Sequence, residues 1–193
     1  LITDQNLIVD SGEISIETAN DLDATTEGTV TADIAIDTTV ANLATLEGTN
    51  AYTIKIADSD ATGSTAEQLL AIDNATTVTV DASAITSIEG TFEEITALYG
   101  SSGISDLGDE NIIIDGDLTV GEANIIDALT EGTISGTISS TERVSSLTGL
   151  TGNNAYQITI SEEDATTTSD ELITINSKTT LGIDLTNVTA FSS

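Results

Sequence analysis

The residues of this chain whose types and spacing suit chemistry are carboxylates. Short β-branched segments begin around Leu7, Val30, Ile54, Val78, Ile112, Ile134, Ile158 and Leu181, and the residues that close them are Asp10, Asp33, Ala57, Asp81, Asp115, Thr137, Ser161 and Asp184. Five of the eight are Asp. If these positions stack at the sheet spacing of about 4.8 Å, neighbouring carboxylates repel by about 0.9 kcal/mol in water, a cost that a bound divalent cation turns into attraction. Two further acidic turns follow the strands at Ile54 and Ile158: ADSDAT with Asp58 and Asp60, and SEEDAT with Glu162, Glu163 and Asp164. Hard oxygen ligands at alternate positions suit Ca²⁺. Neither stretch matches the EF-hand loop or the glycine-rich calcium nonapeptide. The competing account is turn chemistry, in which an Asp side chain accepts a hydrogen bond from the backbone two residues on.

Other chemistries have little to work with. The chain has no His and no Cys, and its three basic residues, Lys55, Arg143 and Lys178, face Thr159, Thr39 and Ala75 when the two halves of the chain are aligned. Acid pairs such as Glu93 and Glu94 suit glycoside hydrolysis in principle, but nothing distinguishes one carboxyl from the many others. The sequence therefore predicts no enzyme and no catalytic residue. Thirty-three acidic residues against 3 basic ones give a formal net charge of −30, which repels nucleic acid and anionic membranes. No apolar run reaches transmembrane length. With 38% hydrophobic residues and a mean hydropathy of +0.11 the chain is expected to fold; a disordered chain of this charge would lack the aliphatic residues. Only 5 residues are aromatic, so the core is expected to be thin and aliphatic.

The elements that position these carboxylates are repeated. NAYTIKIADSDAT from Asn50 returns as NAYQITISEEDAT from Asn154, LDATTEGTV from Leu22 as IDALTEGTI from Ile126, and LLAIDNATTVTVDASAITSI from Leu69 as LITINSKTTLGIDLTNVTAF from Leu172. The offset is about 104 residues throughout, so the chain is a tandem duplication: residues 1–105 are a first copy, with an insertion near 99–110, and 106–193 a second, incomplete one. The chain reads as a piece of something longer. Within each copy the strand starts recur every 22 to 24 residues, with apolar residues two apart, as in TIKIA and TVTVD. Three-residue spacing follows at Val40, Leu43 and Leu46, at Phe92, Ile95 and Leu98, and at Val144, Leu147 and Leu150. STAE (Ser64 to Glu67), TFEE (Thr91 to Glu94) and TSDE (Thr168 to Glu171) read as capping boxes that open short helices, and Gly28, Gly48 and Gly132 as left-handed helix ends. GEISIE, TADIAI and GDLTVG read as turns or second short strands. This pattern predicts an α/β repeat solenoid of eight coils in parallel stacking, with an all-β parallel β-helix as the alternative. YGSSGISDLGDE, from Tyr99, reads as a loop or bulge. Tyr52 and Tyr156 read as packing residues over the surface. Asn74 and Asn187 lie in glycosylation sequons. The outward column Ile8, Thr31, Lys55, Thr79, Ile113, Ser135, Thr159 and Gly182 is too mixed for an ice-binding Thr ladder.

GSSGISDLGDENIIIDG (Gly100 to Gly116), with TVDASAITSIEGTFEEITALY before it, resembles the long Thr/Ala/Asp-rich repeats of very large secreted surface proteins of marine cyanobacteria and related bacteria. Asp106 departs from that pattern, standing where those repeats carry a small residue. The resemblance covers essentially the whole chain. It implies an extracellular structural or adhesive module of a cell-surface layer, adhesin or filament, self-associating end to end or joined to further repeats. A calcium-dependent glycan or surface-ligand binder is the alternative.

Overall fold

The computed structural model describes residues 4–36, 38–57 and 63–192, and the chain divides into two compact units: residues 1–88 with 96–107, and 89–95 with 108–193. The first copy runs β1 (Leu7–Ile14), α1 (Ile16–Asp23), β2 (Val30–Ile34), α2 (Val40–Leu43), β3 (Ala51–Thr53), β4 (Ser64–Thr65), α3 (Ala66–Ala75), β5 (Val80–Asp81), β6 (Ser87–Gly90), α4 (Phe92–Gly100) and β7 (Ile104–Ser105). The second runs β8 (Asn111–Leu118), α5 (Val120–Asp127), β9 (Ile134–Ile138), α6 (Val144–Leu147), β10 (Ala155–Thr159), β11 (Thr166–Thr168), α7 (Ser169–Asn176), β12 (Ile183–Asp184) and β13 (Ala190–Ser192).

The expected eight-coil solenoid is corrected by this arrangement. The protein is a mixed α/β fold whose strands, among the described residues, divide over four separate sheets: one of three strands, one of six and two of two. The first unit contains β1-β2-β3 and β5-β7. The six-stranded sheet has four consecutive strands, β12-β10-β9-β8, in the second unit, which also holds β11-β13. Seven α-helices among the described residues equally overturn the all-β alternative.

Capping and turn chemistry explain why strands break where the period-2 pattern continues. Ser15 accepts from the Thr18 N–H at 3.2 Å, so the chain turns helical at Ile16, and of GEISIE only Gly12–Ile14 are strand, as the end of β1 that pairs after its bulge. Thr119 and Glu122 form a capping box that divides GDLTVG in the same way, Gly116–Leu118 ending β8 and Val120 opening α5. Asp81 and Asp184 each accept the backbone N–H two residues on, Ser83 at 3.0 Å and Thr186 at 2.9 Å, and end β5 and β12 after two residues. These are Asx turns. The capping boxes expected at Thr91/Glu94 and Thr168/Glu171 form. The third begins one residue later than expected, at Thr65 with Gln68, because Ser64 is still in β4.

The core is aliphatic with two exceptions. Val40, Leu43 and Leu46 in the first unit, and Val144, Leu147 and Leu150 in the second, are buried as their three-residue spacing predicts. Each such side chain contributes about 1.5–3 kcal/mol when fully buried. Tyr52 and Tyr156 are both 0% exposed, which corrects their reading as surface-packing residues. YGSSGISDLGDE is corrected as well. It carries β7, which pairs with β5, and Asp106 takes φ 63° immediately after that strand. Asp suits this position, since it tolerates the left-handed region better than most side chains.

Gly48 has the expected positive φ of 72°. Gly28 and Gly132 do not have one, and are glycine for want of space. A Cβ on Gly28 would lie 2.5 Å from the Gln5 carbonyl oxygen, and one on Gly132 would lie 2.5 Å from the Glu110 carbonyl carbon.

Candidate functional site

The carboxylates expected to form a column are distributed among different environments. In the parallel register Asp33 stands between Glu13 and Thr53, Asp81 between Lys55 and Ser105, and Asp184 beside Thr159. No two of the expected Asp residues are register partners. The cause is a bulge of different length in each copy. In β1 the register shifts between Ile8 and Glu13, and in β8 between Ile113 and Asp117, which expels Asp10 and Asp115 from the ladder. Asp81 lies 3.3 Å from the Lys55 ammonium, and hydrogen bonds from the Ser83 hydroxyl and N–H, then Lys55, hold its carboxyl below the usual range. Asp58 and Asp60 lie outside the described residues.

The turn after β10 is engaged from within the protein. Glu162–Asp164 forms a single 3₁₀ turn, the Arg143 guanidinium donates to Glu163 at 2.7 Å, and its Nε lies 3.5 Å from Asp164. Asp164 also accepts the Val144 N–H at 2.8 Å, at the start of α6. In the first copy Thr39 caps α2 with its own hydroxyl, accepting from Asn42. Arg143 stands at the position of that Thr and cannot accept a hydrogen bond, so the Ser146 N–H, counterpart of Asn42, bonds to the Arg143 carbonyl at 2.9 Å, while Asp164 satisfies the separate N–H of Val144. Ser140, Thr141, Ser161, Glu162, Glu163 and Asn187 line an open polar hollow of about 340 Å³ beside this turn. Among the described residues no three acidic side chains converge on a metal-binding geometry.

Of the polar residues that do converge, only Tyr52 and Tyr156 carry an expectation from the sequence. In the first unit the buried Asn50 accepts the Val30 N–H at 2.8 Å and donates to Asp23 at 2.8 Å. In the second, Asn154 accepts the Ile134 N–H at 2.9 Å and donates to Asp127 at 2.7 Å. Each Asn sits two residues before a buried Tyr whose hydroxyl donates to a helix carbonyl, Tyr52 to Ala19 at 3.2 Å and Tyr156 to Ala123 at 3.5 Å. Around them runs a repeated hydroxyl clamp. Thr26 donates to the Gln5 carbonyl and accepts from the Gly28 N–H, Thr76 donates to Tyr52 and accepts from Val78, Thr130 donates to Glu110 and accepts from Gly132, and Thr179 donates to Tyr156 and accepts from Leu181. Every hydroxyl thus ties a turn to a segment 20 to 24 residues away. Glu110, 1% exposed, folds its carboxylate back onto the Gly108 and Asp109 N–H groups.

The signal for this framework was present in the 104-residue offset. Asp23/Asp127, Thr26/Thr130, Asn50/Asn154 and Tyr52/Tyr156 all recur at it. What the sequence lacked was any indication that these polar residues, unlike the many others, were inside.

Burial and then the Asp23 charge push the Tyr52 phenol up to about 12, and burial with Asp127 pushes Tyr156 further in the same direction. A phenol whose folded pKa exceeds its unfolded value of about 10 adds stability that is complete below pH 10 and is lost as the pH rises through the folded pKa. Alkaline unfolding is therefore expected between about pH 10 and pH 12. Parallel circular dichroism and tyrosinate absorbance check this: Tyr52 and Tyr156 should ionise only as the fold is lost. Ionisation of both near pH 10 with unchanged dichroism would show that they are accessible.

No protein family, curated protein or solved structure matches the chain.

Proposed function

We propose that this chain is an extracellular structural or adhesive module of a cell-surface layer or filament. The observation that carries the proposal is the duplicated polar framework. Asp23, Asn50 and Tyr52 and their counterparts Asp127, Asn154 and Tyr156 hold the same hydrogen-bond geometry in both copies, and each partner they bind belongs to the protein's own backbone or to another member of the set. A framework that is hydrogen-bonded in the same way in each copy stiffens each copy from within, and a stiff repeated unit is what a surface scaffold uses. The formal net charge of −30 supports the same reading, since it keeps a crowded surface layer hydrated. Further repeats of the same unit are the partners the proposal implies.

The test is antibody labelling of the producing cell. An antiserum raised against the 193-residue chain should label intact cells, with little gain after permeabilisation. Labelling that appears only after permeabilisation would exclude a surface module.

A further inference from the structure

Asp115 and Gly116 form the one Asp–Gly pair in the chain, which has no Asn–Gly. Both residues are exposed, and both lie in the bulge of β8, between the register pairs Ile113/Ser135 and Asp117/Thr137. Ile114, Asp115 and Gly116 there stand opposite the single residue Gly136, so they lie outside the ladder pairing. Gly116 takes φ 105°, and a Cβ placed on it would meet nothing within 4 Å. An Asp carboxyl carbon can close a five-membered ring onto the amide nitrogen of the next residue. Closure needs that nitrogen to turn toward the side chain, which glycine allows most readily because it has no Cβ to crowd the ring.

Other positions lack this combination. Asp10, in the matching bulge of β1, is followed by Ser11, whose Cβ crowds the same closure. Asp81 is followed by Ala82, whose N–H is committed to the Ser105 carbonyl at 3.2 Å, and Asn176 by Ser177, whose N–H bonds to the Ile173 carbonyl at 3.1 Å. The first copy also shows that the fold has room for a longer backbone at the bulge. In β1, Val9, Asp10, Ser11 and Gly12 stand opposite Ala32, between the pairs Ile8/Thr31 and Glu13/Asp33. That bulge is one residue longer than the bulge of β8, yet the equivalent pairs resume on its far side.

We propose that Asp115 is a modification site at which the folded protein converts, through a succinimide, to isoaspartate. The Gly116 nitrogen attacks Cγ of Asp115. The N–Cγ bond forms, a Cγ–O bond breaks, and the oxygen leaves as water with the nitrogen's proton and the carboxyl proton. Water then opens the ring. Cleavage at Cγ restores Asp, whereas cleavage at the α-carbonyl carbon leaves the main chain running through Cγ. The composition is unchanged, nothing is oxidised or reduced, and the backbone gains one carbon. The longer bulge of β1 argues that β8 absorbs this carbon without losing the Asp117/Thr137 pairing. The product carries a free α-carboxylate, the group that an isoaspartyl methyltransferase esterifies. The inference rests on the bulge and stands apart from the surface-module reading.

The folded chain and a synthetic peptide of the sequence from Asn111 to Leu118 are incubated side by side below the melting temperature. Isoaspartate is counted by methyl transfer from an isoaspartyl methyltransferase and located by peptide mapping. In the folded chain it should accumulate at residue 115 within about tenfold of the peptide's rate, since a segment outside the ladder opens at little cost. Accumulation should be faster there than at Asp10, with circular dichroism unchanged. Asp115→Glu keeps the charge and the backbone but needs a larger ring, so it should abolish the signal at this position. Asp115→Asn should raise it, with ammonia leaving in place of water. Conversion slower than the peptide's by more than that factor, or equal accumulation at Asp10, would overturn the proposal. Loss of dichroism in step with isoaspartate would do the same, because the bulge would then not absorb the added carbon.

Discussion

Tyr156→Ala is expected to destabilise the protein by about 3–5 kcal/mol, the range for removing a large ring from a packed interior. The ring is 0% exposed, in a chain that has only 5 aromatic residues to fill its core. Loss of the ring leaves a cavity in a close-packed interior, which relaxes only in part to fill it. Loss of the hydroxyl removes the donor to Ala123 and a neighbour of the Asn154 amide, at 3.5 and 3.4 Å. Those two bonds are long, so Tyr156→Phe is expected to cost only about 0.5–1.5 kcal/mol. For a protein of this size the alanine variant should melt about 6–20 °C lower. Tyr52→Ala should behave alike, because Tyr52 occupies the same place in the first copy. Urea unfolding of all three variants measures the effect. A loss below about 1 kcal/mol for both alanine variants would mean that the rings are not the packed centres of their units.

The second large effect is expected from a single methyl group. Gly132→Ala places a Cβ 2.5 Å from the Glu110 carbonyl carbon, and backbone cannot rotate away as a flexible side chain can. The same turn is fixed from a second direction by Thr130, which donates to Glu110 at 2.7 Å while accepting from the Gly132 N–H at 2.9 Å. Relief of the clash therefore breaks the clamp, and a cost of about 2–3 kcal/mol is expected, in the upper part of the range for overpacking. Gly182→Ala provides the control. A Cβ there meets nothing within 4 Å, so the change should stay within about 0.5 kcal/mol of neutral. Equal melting of the two variants would show that the approach of Gly132 to Glu110 is not a constraint.

Gly28, Gly48 and Gly132 were all assigned to helix ends needing a left-handed residue. Only Gly48 has that conformation, and the other two are set by a neighbouring backbone more than 20 residues away. Sequence carries the identity of the glycine but not what approaches it. The same holds for the carboxylates. Spacing alone placed Asp10 and Asp33 in one column, yet the bulge in β1 aligns Glu13 with Asp33 instead. Arg143 has no basic counterpart in the first copy, and nothing in its spacing tells that it engages Glu163 and Asp164 across about 20 residues of chain.

The sequence by itself determined the local structure. The 104-residue duplication, the strand starts at Leu7, Val30 and Ile134, the helix-opening Thr91 and Thr168, and the buried triplets at three-residue spacing all depend on interactions within a few residues, which composition and periodicity encode directly. Tertiary structure decided which polar side chains went inside and how far each strand continued. Asn50 and Asn154 are two Asn among many in the chain, and they are buried only because Asp23 and Asp127, and the Val30 and Ile134 amides, arrive from 20 to 27 residues away to satisfy them. The division into four sheets instead of one ladder has the same origin: Asx turns and helix caps end the strands, and their cost or benefit is settled by what packs on the far side.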